Sequence, residues 1–194
     1  KRVGLAGTYM EFVNKVAEEI GKEYPNAIVD TLAYGITYDP TSVKMKENVR
    51  VTWCPISACY AHAFDECEIN YDRGFLVNLD KWLANTSHLQ IWYYQYMTDN
   101  WMPHMELSAA VKNFAIFRRL GVEGIFVQDN SGPTRRSNPV PDGDKLIPAY
   151  GDAEKQGYFT IPTELAHLRP YIACRLMWDT GYDVRQGIRE FCQA

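Results

Sequence analysis

The chain has 194 residues, of which 46% are hydrophobic and 23% charged, and its formal net charge at pH 7 is -4. This length and balance are typical of one globular domain with a large buried core. The sequence has no apolar run of about 18 residues and no block of Lys or Arg, so we expect neither a membrane-spanning helix nor an electrostatic nucleic-acid interface.

Apolar periodicity predicts an alternation of helices and strands along the chain. The segment Tyr9–Tyr24 has the spacing of an amphipathic helix, and Gly21 and Pro25 mark its end. Between 129 and 156 Pro, Gly, Asp and Asn are frequent, which predicts a long loop of the kind that often carries function. Strands are predicted at 27–34, 49–54, 89–94 and 122–127, and further helices at 71–87, at 106–120, after Pro162 and after the cap residue Asp183.

Strands that alternate with helices indicate an α/β fold with a parallel sheet and helical crossovers. The first connection is an exception, because about a dozen residues follow the first strand without an evident helical pattern. The whole chain, 1–194, is predicted to be one α/β segment without an internal boundary.

Aromatic and polar residues gather where the predicted strands end. Aromatic residues make up 13% of the chain, with 5 Trp and 13 Tyr, and the strand ends carry Tyr34, Trp53, Tyr93, Tyr94 and Gln128. In α/β folds the carboxyl ends of parallel strands form the ligand site. Rings at that edge either belong to an aromatic-rich core or stack on a ligand with apolar faces, such as a sugar.

Three tryptophans near the strand ends are candidates for stacking on sugar rings. They are Trp53, Trp92 and Trp101, although Trp92 could equally point into the helix layer. His62 lies after the second strand, where its ring could hydrogen-bond to a sugar hydroxyl. The two tryptophans on helical apolar stripes are expected in the core instead: Trp82 and Trp178.

Two carboxylates are candidates for the hydrolysis of a glycosidic bond, a reaction that needs an acid and a base or nucleophile. Asp129 stands out because it follows the fourth strand immediately, and Glu66 belongs to an acidic cluster after the second strand. Each could equally be a solvated loop carboxylate or a helix cap. The sequence has no GxGxxG, Walker, GxSxG or HExxH motif, so we expect no bound cofactor.

Five cysteines leave at least one thiol unpaired within the chain. Three of them surround His62 in the pattern Cys54-x4-Cys59-x2-His62-x4-Cys67. Zinc sites usually have paired ligands two residues apart, so this spacing fits a metal poorly and we expect none. A local disulfide stays open, and buried free thiols beside a polar histidine are favoured.

Six blocks, in order over nearly the whole chain, carry a family resemblance: FVNKVAEEIGKEYP (12–25), TLAYGITYDP (31–40), NVRVTWCPISACYAHAF (48–64), LQIWYYQY (89–96), GVEGIFVQDN (121–130) and LAHLRPYIACRLMWDTGYDVRQGIREF (165–191). The last block, with MWD before an amphipathic helix, is the most specific. Together they resemble the bacterial domain-of-unknown-function family numbered 4838. That family is placed among the glycosidase barrels and overlaps glycoside hydrolase family 163, endo-acting β-N-acetylglucosaminidases on N-glycans.

The resemblance implies a TIM-type (β/α)8 barrel of which this chain is the C-terminal half. The remaining half would be its partner within the full-length protein and would carry a general acid before Lys1. The resemblance also implies a glycan substrate at the carboxyl ends of the strands. It implies a secreted, periplasmic or cell-surface location in a bacterium, and no signal peptide is visible in the sequence.

Some positions depart from the family pattern. Ser57, Tyr93 and Val127 stand where the family often carries acidic residues, which favours a non-catalytic carbohydrate-binding barrel domain as the alternative function. The matching positions, implied to line the pocket, are Tyr34, Cys54, Cys59, His62, Trp92, Tyr94 and Gln128. With them, Trp53, Trp101 and Asn130 complete the predicted binding surface.

Overall fold

The computed structural model describes residues 4–95, 107–128 and 168–193, together with the backbone of 134–135 and 158–159. The helices in these ranges are α1 (Gly4–Glu23), α2 (Glu68–Asp72), α3 (Phe75–Asn85), α4 (Leu107–Arg119), α5 (Leu168–Trp178) and α6 (Val184–Gln193). The strands are β1 (Val29–Ala33), β2 (Val49–Trp53), β3 (His88–Tyr94), β4 (Gly124–Gln128), β5 (Thr134–Arg135) and β6 (Tyr158–Phe159). None of the helices in the described ranges is both long enough and apolar enough to cross a membrane.

Four parallel strands form one sheet in the order β1-β2-β3-β4. Its register aligns Trp53 with Ile91 and Trp92 with Phe126. The strands β5 and β6 form a separate antiparallel pair. The predicted α/β fold with a parallel sheet is confirmed, and the four-stranded arrangement matches half of a (β/α)8 barrel.

The helices follow the predicted alternation, with one difference. The connection from β1 to β2 contains only a short 3-10 helix, Gly35–Thr37, so it lacks an α-helix as expected. The segment predicted as one helix over 71–87 is divided at Gly74, whose φ of 67° is a left-handed conformation that other residues rarely adopt. Asp183 caps α6 as predicted, because its Oδ1 accepts a hydrogen bond from the Gln186 amide at 3.1 Å.

One face of the sheet is packed under the helices. Trp53 and Tyr93 are fully buried there. The Trp53 ring lies 6.1 Å from that of Phe75 on α3, and Tyr93 meets Phe114 of α4 edge to face at 5.1 Å. Each large ring buried in this way contributes about 1.5 to 3 kcal/mol. Part of the aromatic excess therefore forms the core.

The other face of the sheet, which we call the open face, is partly accessible, although Thr52, Cys54 and Tyr94 on it are buried. Leu32 and Phe126 are 46% and 49% exposed there. Parallel sheets are usually covered on both sides, and in a (β/α)8 barrel the second side lines the barrel interior. Because side chains alternate along a strand, the open face consists of Asp30, Leu32 and Tyr34; Arg50, Thr52 and Cys54; His88, Gln90, Trp92 and Tyr94; and Gly124, Phe126 and Gln128.

The two helical tryptophans have different environments. Trp82 is fully buried, as predicted, and its indole Nε1 donates to the Tyr38 carbonyl at 3.1 Å. Trp178 is 94% exposed, so the expectation that it lies in the core is wrong. The reason is helical phase: α5 buries Leu168, Ile172 and Leu176, which are four residues apart, and Trp178 falls outside that stripe.

Candidate functional site

An aromatic platform occupies the carboxyl end of the open face. We define it by Trp92, Tyr94, Phe126 and Gln128, from the neighbouring strands β3 and β4. The Trp92 ring lies 4.4 Å from that of Phe126 and stacks on that of Tyr94 at 6.2 Å and 28°. The indole Nε1 of Trp92 donates to Gln128 Oε1 at 2.7 Å. A tryptophan held by a hydrogen bond and two rings is a preorganised surface for stacking.

The strand register explains why these side chains meet. Trp92 pairs with Phe126 and Tyr94 with Gln128 across β3 and β4. Directly paired residues on one face have Cβ atoms about 5 Å apart, which is within reach of rings and amides. Three of the four residues were predicted as pocket positions. Phe126 was not, although its position two residues before Gln128 puts it on the same face.

Below the platform the open face carries mainly polar side chains. In the middle, Thr52 Oγ1 donates to Gln90 Oε1 at 3.5 Å, and Gly124 leaves room because a Cβ there would lie 3.0 Å from the Gln90 amide nitrogen. Nearer the amino ends of the strands, Arg50 forms two hydrogen bonds with Asp30, at 2.5 and 2.7 Å. The rings thus form the top of a layered face, where ligands bind in α/β barrels.

Tyr34 extends the open face at the end of β1. It is 47% exposed, and its amide donates to Thr37 Oγ1 at 3.2 Å, which fixes the backbone as β1 enters the 3-10 helix. The register aligns Tyr34 with Trp92, and two strand spacings separate β1 from β3, so Tyr34 lies about 10 Å across the sheet from Trp92. This distance places the Tyr34 ring at the margin of the platform.

Cys54 lies at the end of β2, where its surroundings disfavour the reactive thiolate form of its side chain. It is almost fully buried, and its thiol donates to the Thr52 carbonyl at 3.4 Å. Burial raises the pKa of the Cys54 thiol to about 11, against the opposing effect of a hydrogen bond with Tyr94. Cys54 is therefore protonated at neutral pH and acts as a structural residue beside the platform.

Trp53 lies on the opposite side of the sheet from the platform. It is fully buried between the Tyr38 ring, at 5.7 Å, and the Phe75 ring, at 6.1 Å. The structure therefore places this predicted sugar-stacking residue in the core, because adjacent residues of a strand point to opposite faces.

Glu66 forms an exposed ion pair away from the platform. Both carboxylate oxygens accept hydrogen bonds from Lys112 Nζ of α4 at 2.7 Å, and more than half of each side chain is exposed. Since α4 packs on the helix-covered face, Glu66 is not brought together with Trp92. The other predicted positions, Asp129, Asn130 and Trp101, lie outside the described residues.

A second group of reactive side chains forms in the loop after β2. His62 Nδ1 lies 3.4 Å from Cys59 Sγ and 3.9 Å from Cys67 Sγ. The three potential ligand atoms all lie within 4.8 Å of one another. All five cysteines, including the predicted group around His62, are free thiols in the structure.

Two buried asparagines that sequence reasoning missed hold this loop. Asn70 is fully buried; its Oδ1 accepts from the Cys59 amide at 2.7 Å and its Nδ2 donates to the Cys59 carbonyl at 2.9 Å. Asn113 of α4 is also fully buried, and its Oδ1 accepts from the Phe64 amide at 2.7 Å. The backbone is therefore fixed on both sides of His62. Asn113 could have been identified from the sequence, because it is a polar amide within the apolar stripe of a predicted helix.

Comparison with known proteins gives a family but no relative of known activity. Neither the curated proteins nor the solved structures contain a match to this chain. One family model, described as Domain of unknown function (DUF4838), matches residues 2–194. Since this match spans nearly the whole chain, the protein belongs to that family.

Proposed function

We propose that this domain binds glycans at the carboxyl ends of its parallel strands, as the C-terminal half of a glycosidase-like (β/α)8 barrel. The observation that carries the proposal is the aromatic platform. It combines an exposed phenylalanine, a tryptophan fixed by Gln128 and a stacked tyrosine on the face that lines the interior of such barrels.

The chemistry of the platform suits a sugar. The C–H face of a pyranose ring packs on indole and phenyl faces, while neighbouring amides hydrogen-bond to its hydroxyls. Gln128 accepts from Trp92 through Oε1, and its amide also carries an NH2 group, a donor of the kind that binds sugar hydroxyls. Glycans that contain β-N-acetylglucosaminide units are the first to test, because the family resemblance implies them.

Hydrolysis is the more demanding form of the same proposal. It needs two carboxyl groups facing one glycosidic bond, about 5 to 9.5 Å apart. On the described part of the open face the acidic residue is Asp30, and it is paired with Arg50 near the amino ends of the strands. Asp129, directly after β4, is the residue of this chain that we propose as a catalytic carboxylate, with its partner supplied by the rest of the full-length protein.

The binding proposal is tested by removing the central ring of the platform. We expect Trp92→Ala in the full-length protein to weaken binding of N-acetylglucosamine oligosaccharides at least tenfold, measured by titration calorimetry, because the stacking surface is lost. Trp178→Ala is the matched control, since Trp178 is exposed on α5 and lies outside the platform. Equal binding by wild type and Trp92→Ala would contradict the proposal, as would equal losses in the two variants.

A further inference from the structure

We propose that Cys59, His62 and Cys67 form a binding site for one divalent metal ion that prefers thiolate ligands, with Zn²⁺ as the ion that fits best. This Cys2His site is separate from the aromatic platform and does not depend on the glycan proposal. It lies in the loop between β2 and α2, and Cys67 is the residue before α2.

The distances between the three ligand atoms suit tetrahedral zinc. Zn–S bonds of about 2.3 Å and Zn–N bonds of about 2.0 Å place two sulfurs about 3.8 Å apart and a sulfur about 3.5 Å from a ring nitrogen. The structure has 3.4 Å from His62 Nδ1 to Cys59 Sγ and 3.9 Å to Cys67 Sγ. The sulfurs lie within 4.8 Å of each other, so binding requires them to approach by at most about 1 Å.

The site is held by the surrounding structure. Asn70 binds both backbone polar groups of Cys59, and the Phe64 amide is tied to Asn113 of α4. Tyr60, which lies between Cys59 and His62 in sequence, is also buried, and its hydroxyl donates to the Pro55 carbonyl at 2.9 Å. A loop fixed at these points needs little further ordering to bind an ion, which favours affinity.

The exposure of the three residues indicates that the metal ion would have three protein ligands and one coordination position open to solvent. Cys67 is buried and Cys59 half-buried, whereas His62 is exposed. An ion held by these residues would therefore face solvent on one side, where water supplies the fourth ligand. Three protein ligands with an open fourth position are the usual arrangement at zinc sites that act on a substrate.

Without Cys54, the sequence spacing of the three proposed ligands resembles that of known zinc sites. Cys54 Sγ hydrogen-bonds to Thr52 at the end of β2, and the remaining residues form Cys59-x2-His62-x4-Cys67. The expectation of no metal rested on the four-residue pattern that included Cys54. A two-residue interval followed by a four-residue interval lies close to the short spacings of known zinc sites.

The test uses the reduced full-length protein and Co²⁺ as a spectroscopic probe, followed by displacement with Zn²⁺. We expect one equivalent of Co²⁺ to give the visible absorption of tetrahedral thiolate coordination, and Zn²⁺ to abolish it. His62→Ala and Cys67→Ser should each weaken binding at least tenfold, whereas Cys174→Ser, at an exposed thiol of α5, should bind as wild type does.

The result is decisive even if one variant folds poorly. His62 is exposed, so His62→Ala should keep the wild-type circular dichroism and thermal midpoint in the absence of metal. Failure of the reduced wild-type protein to bind either ion would overturn the proposal, as would unchanged binding in His62→Ala. Mass spectrometry that finds a Cys59–Cys67 disulfide in the isolated protein, together with no metal binding after reduction, would assign the pair to a disulfide and also overturn it.

Discussion

At the scale of single residues, the neighbours of Glu66 determine what its carboxylate can do. Lys112 Nζ donates to both of its oxygens at 2.7 Å in an exposed pair. A carboxylate fixed in this way on the helix layer cannot reach a sugar on the open face. We therefore expect Glu66→Gln to leave glycan binding, and any glycan hydrolysis by the full-length protein, within twofold of wild type.

Asp129→Asn is the comparison for this prediction, because Asp129 follows β4 directly. Initial rates on aryl β-N-acetylglucosaminides and N-glycans should separate the two carboxylates. The stability of Glu66→Gln should also change little, since exposed ion pairs are worth about 0 to 1 kcal/mol. A hundredfold loss of turnover in Glu66→Gln with normal folding would show that our assignment of Glu66 to the surface is mistaken.

The two strand-end tryptophans show what sequence could and could not determine at this scale. Both lie towards the carboxyl end of a predicted strand, and both were reasonable candidates for stacking on a sugar. Register distinguishes them: Trp53 pairs with Ile91, so Trp92, the next residue, must point to the other face. Periodicity identifies which residues share a face within one strand. It does not align neighbouring strands or say which face the helices cover, and so it could not separate Trp53 from Trp92.

At the scale of elements, the strands and helices were well predicted because each is bounded by strong local signals. All four parallel strands were located within a few residues, and the helix-free first connection was recognised. The loop after β2 was not predictable in the same way. Its conformation depends on Asn70 and Asn113, which are 11 and 49 residues from the amides of Cys59 and Phe64 that they bind. Contacts at such separations leave no local pattern in sequence.

We expect Asn113→Ala to destabilise the protein by about 1 to 3 kcal/mol, because it leaves the Phe64 amide without its acceptor in a buried position. It also removes the Nδ2 group that donates to the Tyr93 hydroxyl at 3.2 Å. Urea unfolding followed by circular dichroism measures the change. Asn78→Ala is the matched control, since the Asn78 side chain donates to Asp39 at the surface and should contribute less than about 0.5 kcal/mol. Similar losses in both variants would argue against a role for Asn113 in holding the loop.

At the scale of the whole molecule, the sheet has one face under helices and one face in layers of ion pairs, polar side chains and rings. Exposed apolar residues on one face of a parallel sheet need a cover, and our proposal of a barrel supplies one, since the open face would line its interior. Leu32 on β1 tests this, because it is 46% exposed in the described structure and lies below the platform.

In a closed barrel Leu32→Arg would place an unpaired charge in the interior, so we expect it to lower the free energy of unfolding of the full-length protein by about 3 kcal/mol or more. Val77→Arg is the matched control, because Val77 is 56% exposed on α3, on the outer layer of either arrangement. Thermal unfolding of the two variants distinguishes a closed barrel from a sheet whose open face is exposed to solvent. A large fall for Leu32→Arg alone supports the barrel, whereas equally small changes would mean that solvent reaches the open face in the full-length protein. The platform would then be an exposed glycan-binding surface and not the floor of a barrel pocket.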